Sequence, residues 1–304
     1  MYLSKETKFT LCVILLFLLP FLFIIFQFRG SIRVMQKLYT TGYLEMRTQT
    51  AARLVSDLIV TNYNLSDISN SPEFRKKGFR ALPELSGKIP APFYEIVLLD
   101  SKGNEKYRYS PGRRTEYNYS NSDTVKNAVE NGMAAGSVEY DRYMPPVLVE
   151  AEPLSDHSGV IAGRFSLAYI CEIVRRVGRN SYGSMGLVDA GGQVIADSLG
   201  ISHMRPGMKA PEEILGTLES ARLSGTGSFI SEVRSGKREY LIAVANAEGT
   251  DWWFYEVLDT GFMPLPAGGT PFNYTLISGT VLIIVFGFAS GLLAKRFFAD
   301  RTAG

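Results

Sequence analysis

The chain has 304 residues, with 32 Lys and Arg against 30 Asp and Glu, for a formal net charge of +2. That balance supplies no basic field of the kind nucleic-acid binding requires, so no nucleic-acid partner is expected. Two cysteines and two histidines are too few for a disulfide scaffold and show no zinc-ligand spacing, and the length allows one or two ordinary domains.

The first predicted element is an apolar run. Phe9 to Phe28 is twenty residues without a charge, and Tyr274 to Ala294 is another twenty-one. Each is long enough to cross a hydrocarbon core about 30 Å thick as a helix. A cleaved signal peptide is the rival for the first run, but Arg29-Gly-Ser-Ile-Arg33 offers no small-residue cleavage site after it. Lys295, Arg296 and Arg301 follow the second run, whereas Glu239 to Asn273 contains no Lys or Arg. Cationic flanks stay in the cytoplasm, so both termini (1–8 and 295–304) are expected there, with residues 29–273 outside an inner (plasma) membrane. Arg29, Arg33 and Lys37 argue mildly against this orientation.

After the first span, Ser31 to about Ile68 reads as one long helix. Leu44, Ala51, Leu58 and Leu65 fall seven apart with Val55 beside them, a stripe suited to a domain or a partner helix. Residues 62–92 mix Asn, Ser, Pro and Gly and read as irregular, so stalk and connection together occupy 29–90.

A first module is expected over 91–168. Phe93 to Asp100 is a strand, Ser101 to Asn104 a turn, and Glu105 to Tyr109 the returning strand. Ser122 to Asn131 is a short helix capped by Ser122 or Asp123 and ended by Gly132; Gly136–Tyr140, Val147–Pro153 and Val160–Leu167 complete the strands. Leu167, Ile170, Cys171, Val174 and Val177 then recur at helical spacing, giving a hinge helix over 169–181. Cys171 on its apolar face reads as a small buried hydrophobe, and Cys12 in the first span cannot reach it.

The same order returns over 182–262: a hairpin from Met185 to Asp197, a helix from Pro211 to Leu223, and strands at Gly227–Val233, Glu239–Val244 and Trp252–Leu258. Val97-Leu-Leu-Asp100-Ser-Lys-Gly103 matches Gly186-Leu-Val-Asp189-Ala-Gly-Gly192 at an offset of 89, and Gly136-Ser137 matches Gly227-Ser228 at 91. Two similar modules are implied. Trp252 and Trp253 are expected on opposite faces, one in the core and one at a surface or interface. A linker (263–273) then leads to the second span.

These residues resemble the double Cache family of extracytoplasmic sensor domains. The resemblance rests on Pro146-Val-Leu-Val-Glu-Ala-Glu-Pro-Leu154 with Gly159-Val-Ile-Ala-Gly163, on Gly186 to Asp197, and on Gly249-Thr-Asp-Trp252-Trp253, and it covers roughly 30–273. It implies an α+β fold of two tandem PAS-like antiparallel-sheet modules on a long N-terminal helix, flanked by two transmembrane helices. It also implies that the membrane-distal module binds a small ligand and the proximal module passes the change to the second span. Family members that bind amino acids carry a tyrosine, an arginine followed by two aromatics, and an aspartate on the last strand. Here the tyrosine is Tyr117, but the other positions hold Ser122, Thr124, Val125 and Arg164.

Arg164 puts a guanidinium fork where that aspartate would hold an ammonium group, which suits a carboxylate or phosphate. The candidate ligand site is therefore Tyr117, Ser122, Asp123 and Arg164, for a small anionic or polar ligand. The bland alternative is that Arg164 pairs with Glu150 or Glu152 on the neighbouring strand. No nucleophile elbow, dinucleotide fingerprint or P-loop occurs, and His157 and His203 suggest no triad; no catalytic activity, cofactor or metal is expected. Gly287 and Gly291, spaced as G-x-x-x-G, and the long helix offer surfaces for a homodimer. With ten residues after the second span, output requires a separate signalling partner or a longer receptor. A structural or docking part of an envelope complex, reusing the fold without a small ligand, is the competing reading.

Overall fold

The computed structural model describes residues 5–62, 65–87, 93–112, 116–141, 144–156, 158–178, 183–198, 204–260, 279–287, 289 and 292, for part of the first helix as backbone alone. His157, His203, the Cys12 side chain, Gly291, the linker 263–273 and the tail 295–304 lie outside the described residues. Contacts divide the chain into two units, 1–42 with 263–304, and 43–262.

In the first unit the start of helix α1 (Lys5–Asn62) meets the helical residues 279–287. Phe17 and Phe286 pack edge to face with ring centres 5.9 Å apart. A Cβ on Gly279 would lie 2.1 Å from the Phe21 ring, and one on Gly287 would lie 2.2 Å from Ile14. Gly287, expected to face a second copy, thus faces this chain's own helix. Among the described residues no helix is long and apolar enough to cross a membrane.

The second unit holds two five-stranded antiparallel sheets. Here α1, which ends at Asn62, is followed by α2 (Ser66–Ser69), α3 (Pro72–Lys77) and α4 (Leu82–Ser86). The stretch expected to be irregular is therefore partly helical: Ser71 caps α3, Pro72 fills its first position, and Phe74, Leu82 and Leu85 are buried. The first module then comprises β1 (Phe93–Asp100), β2 (Glu105–Tyr109), α5 (Asp123–Asn131), β3 (Ala135–Glu139), β4 (Val147–Pro153) and β5 (Gly159–Ser166), in the order β2-β1-β5-β4-β3. Helix α6 (Ala168–Gly178) leads to β6 (Gly183–Val188), β7 (Val194–Asp197), α7 (Glu212–Ser224), β8 (Ser228–Ser235), β9 (Arg238–Asn246) and β10 (Trp253–Asp259), in the order β7-β6-β10-β9-β8. The two orders are the same topology.

Local chemistry fixes the correspondence. Asp100 Oδ1 accepts from the Asn104 amide and Asp189 Oδ1 from the Gln193 amide, while Gly103 and Gly192 take φ of +79° and +76° to close the turns. A bulge precedes each turn, at Leu98/Leu99 and at Leu187/Val188. Further on, Thr124 shares a hydrogen bond with Ser137, and Thr217 shares one of 2.6 Å with Ser231. Ser137 therefore answers to Ser231. The expected match to Ser228 is three residues out of register, because α7, with 13 residues, is about one turn longer than α5, with 9.

Each sheet is covered on both faces. The inner faces share one core with α1 and α6, in which Ala52, Val55 and Ile59 meet Ile96, Ile161 and Phe165 of one sheet and Met185, Leu187 and Phe254 of the other. The outer faces lie under α5 and α7. Double cover buries both Trp252 and Trp253 at 7% exposure, one in the shared core and one beneath α7, so neither is at a surface. Cys171 is buried as expected, and burial pushes its thiol up to about 11.

One side chain ties the modules together directly. Tyr140, following β3, donates to Asp189 Oδ2 at 2.7 Å in the turn between β6 and β7. Burial and that carboxylate hold its hydroxyl protonated well above the usual range. Tyr140→Phe keeps the ring and loses the bond, so a cost of about 1 kcal/mol in urea unfolding is expected. A neutral result would mean the ring alone makes the junction.

Candidate functional site

The α5-facing side of the first sheet carries a row of charges. Strand alternation brings Arg108 of β2, Glu95 of β1, Arg164 of β5 and Glu139 of β3 to this face. Glu95 is opposite Arg164 in the ladder, and the register shifts between Phe93 and Glu95. That bulge lets Tyr94 and Glu95 both approach Arg164.

Glu95 is fully buried and accepts from Arg108 Nη1 at 2.8 Å, with Arg164 Nη1 3.6 Å away on its other oxygen. Arg108 also pairs with Glu105 and donates to the Tyr117 carbonyl at 2.8 Å. The Glu105 hydrogen bond and the field of Glu95 raise the Arg108 pKa and hold its guanidinium charged, against burial, which acts to lower it. Arg164 Nη2 lies 3.8 Å from Glu139 Oε2.

Aromatic rings cover the guanidiniums. Arg164 sits 4.2 Å from the Tyr117 ring centre and 5.9 Å from that of Tyr94, and Arg108 sits 5.5 Å from that of Tyr119. A partly desolvated cation over an aromatic face is worth about 1–2 kcal/mol. Tyr117 donates its hydroxyl proton to Glu139; burial, then that bond, pushes its pKa up to about 12. Ser122 acts on the same hydroxyl in the opposite sense, lowering its pKa. Tyr119 is buried and its pKa is raised, first by burial and then by Glu95.

Three polar atoms here are buried with no hydrogen-bond partner: Glu95 Oε1, Arg164 Nε and Tyr119 Oη. A buried polar group left without a partner costs about 1–3 kcal/mol; of the three, Glu95 Oε1 keeps the Arg164 charge 3.6 Å away.

Of the four expected site residues, Tyr117, Ser122 and Arg164 come together. Asp123 does not: its side chain is 94% exposed and pairs with Lys126 at 3.5 Å. Arg164 does not meet Glu150 or Glu152, because both alternate to the opposite side of β4, where Ser69 donates to Glu152. Burial pushes Glu150 up to about 8 there, reinforced by Glu152. The residues not anticipated are Glu95, Arg108, Glu139, Tyr94 and Tyr119. A lone Glu inside Phe-Tyr-Glu-Ile-Val-Leu-Leu-Asp was the available signal, since an apolar strand rarely holds an unpaired charge.

Among the described residues the second module has no comparable charge row. Gly186 faces Tyr255 there, as Val97 faces Ala162 in the first sheet. The Tyr255 hydroxyl sits where a Gly186 Cβ would be, 2.1 Å from it, and donates to Asp197 at 2.6 Å. An open groove of about 640 Å³ lies elsewhere on this module, by Arg222, Asn246, Asp251 and Trp253. Among the described residues, no group of three or more His, Cys, Asp and Glu is placed to hold a metal ion.

No family model and no curated protein matches the chain. Solved structures do match. The ligand-binding domain of the Campylobacter jejuni chemoreceptor Tlp3, solved with L-norvaline, is 14% identical with a TM-score of 0.53, covering 76% of this chain and 95% of that one. That of the Pseudomonas fluorescens chemoreceptor CtaA, solved with L-leucine, is 15% identical with a TM-score of 0.53, covering 77% and 99%. The Pseudomonas aeruginosa PAO1 chemoreceptor PctC domain, solved with GABA, is 16% identical with a TM-score of 0.52, covering 72% and 100%. At such identities the likeness is one of fold, and it is to ligand-binding domains of sensors.

Proposed function

We propose, on the premise that residues 43–262 carry the double Cache fold, that the chain is a membrane-anchored sensor whose first module binds a small polar ligand. It is a two-pass protein, with 9–28 and 274–294 as spans, the paired sheets outside the cell and both termini inside. The first module is membrane-distal, and the second passes the change through the second span to a separate partner or to an output domain beyond this sequence. The function is recognition and signalling, without catalysis. A homodimer through the exposed side of α1, where Leu38, Tyr39, Tyr43 and Met46 face solvent, fits the same plan.

The observation that carries this reading is the convergence of Glu95, Arg164, Tyr117 and Tyr119 beneath α5, with three buried polar atoms lacking partners. A docking part without a ligand has no use for that convergence, since a filled apolar core would serve it better. Two guanidiniums face Glu95 and Glu139, so a simple anion would meet opposing carboxylates. A carboxylate-bearing ligand with a second, donor group satisfies both signs: the carboxylate on Arg164 and the donor toward Glu139.

Calorimetry on the full-length chain in lipid nanodiscs, against amino acids, GABA and dicarboxylates, tests this. A zwitterion should give heat, and Arg164→Ala should weaken binding about 100-fold or more while the protein still melts cooperatively. Unchanged affinity in Arg164→Ala would remove the site from this face. A response to dicarboxylates alone would keep the site and make its ligand an anion.

A further inference from the structure

A second titratable cluster lies far from the charge row, where α1 meets the second sheet. Glu256 of β10 is 2% exposed, and its Oε1 is 3.3 Å from Arg47 Nη1 of α1. Its Oε2 is buried without a hydrogen-bond partner. Arg47 in turn donates through Nη2 to the Val177 carbonyl of α6 at 3.2 Å and to Met185 Sδ of β6 at 3.1 Å. One arginine thus holds the helix that comes from the first span, the helix between the modules, and the strand that leads toward the second span.

The groups around Glu256 are few. Its ladder neighbours are Met185 on β6 and Ala243 on β9. On α1, Glu45 points away to Ser228 and Gln49, and on α6 Arg175 pairs with Glu172. Among the described residues Arg47 is the charged group that acts on Glu256, and burial outweighs it. An ionised carboxylate that is this buried, with one cation and one bare oxygen, is costly in its docked position.

We propose that Glu256 is a proton-binding site that makes the docking of α1 on the second sheet depend on pH, with proton uptake favouring the docked arrangement and proton loss favouring its opening. The inference is independent of any small ligand in the first module. The direction follows from linkage. Burial, opposed by Arg47, raises the Glu256 carboxyl to about 7, against 4.5 when solvated. The docked state therefore binds the proton more tightly than the opened one. Protection is complete below about pH 4.5, falls as pH rises toward 7, and levels off above it. The proton acts as a second input at the two segments through which any signal must leave.

Native-state hydrogen exchange on the full-length chain in nanodiscs tests this, with protection factors taken relative to the intrinsic rate at each pH. Amides of residues 44–52 and 253–259 should lose about tenfold in protection between pH 6 and pH 8. Glu256→Gln, which cannot ionise, should make that protection flat with pH. Arg47→Gln removes the cation that favours ionisation, so its fall should move to higher pH, a shift that mere loosening of the contact does not produce. Persistence of the fall in Glu256→Gln, a flat wild type, or a downward or absent shift in Arg47→Gln would each overturn the proposal.

Discussion

Replacing Glu95 with glutamine should cost about 3–5 kcal/mol of stability, because it removes the one carboxylate that two partly buried guanidiniums share. The side chain keeps its shape, so packing does not account for the loss. Arg108 is 10% exposed and retains Glu105 and the Tyr117 carbonyl; Arg164 is 17% exposed and retains Glu139 at 3.8 Å and two tyrosine rings. Arg164 is therefore the less compensated of the two. Adding Arg164→Met to Glu95→Gln should recover part of the loss, with a coupling of about 0.5–3 kcal/mol. Urea unfolding followed by far-ultraviolet circular dichroism would measure both. A loss below about 1 kcal/mol, with no coupling, would mean that water reaches Glu95 freely and that the row is an ordinary surface network.

The row's members were unevenly legible in the sequence, and the reasons are physical. Strands β1 and β2 with their turn could be read because turn chemistry is local: Asp100 and Gly103 act within five residues, and the same holds for Asp189 and Gly192. The duplication followed from that turn, and the identical strand orders bear it out. The bulge at Tyr94 and Glu95 has no local signature, since it arises from the pairing of β1 with β5. Without it, Glu95 reads as an ordinary outward position. Asp123 is the first residue of α5. The N-cap is Ser122, which turns toward Tyr117, and one step further round the helix Asp123 projects into solvent. The pairing of Arg164 turns on which face of β4 meets it, and Glu150 and Glu152 share the face that Arg164 does not. Both tryptophans could be placed on opposite faces by alternation. That both faces are covered depends on α1 and α7 being laid against one sheet, which no strand pattern records.

The second large effect is expected at Gly183, where the backbone of one strand rests against that of the next. A Cβ there would lie 1.7 Å from the Val257 carbonyl oxygen, 2.8 Å from its carbon and 3.2 Å from Leu258 Cα. Every one of these is backbone, so no rotamer change relieves the clash. The first module repeats the device: at Gly159 a Cβ would lie 2.0 Å from the Leu99 carbonyl oxygen. Gly183→Ala must push β6 off β10, two inner strands of the second sheet, and should cost about 3 kcal/mol or more. Gly216→Ala is the contrast, since nothing lies within 4 Å of its Cβ on helix α7. It should stabilise by up to about 1 kcal/mol through helix propensity alone. The chain's two tryptophans, Trp252 and Trp253, are both in the second module, so their fluorescence in urea reports on that module directly. Gly183→Ala should move this transition to markedly lower urea and Gly216→Ala slightly higher. An unmoved midpoint in Gly183→Ala would mean that β6 and β10 do not approach as closely as the pairing of Gly183 with Leu258 requires.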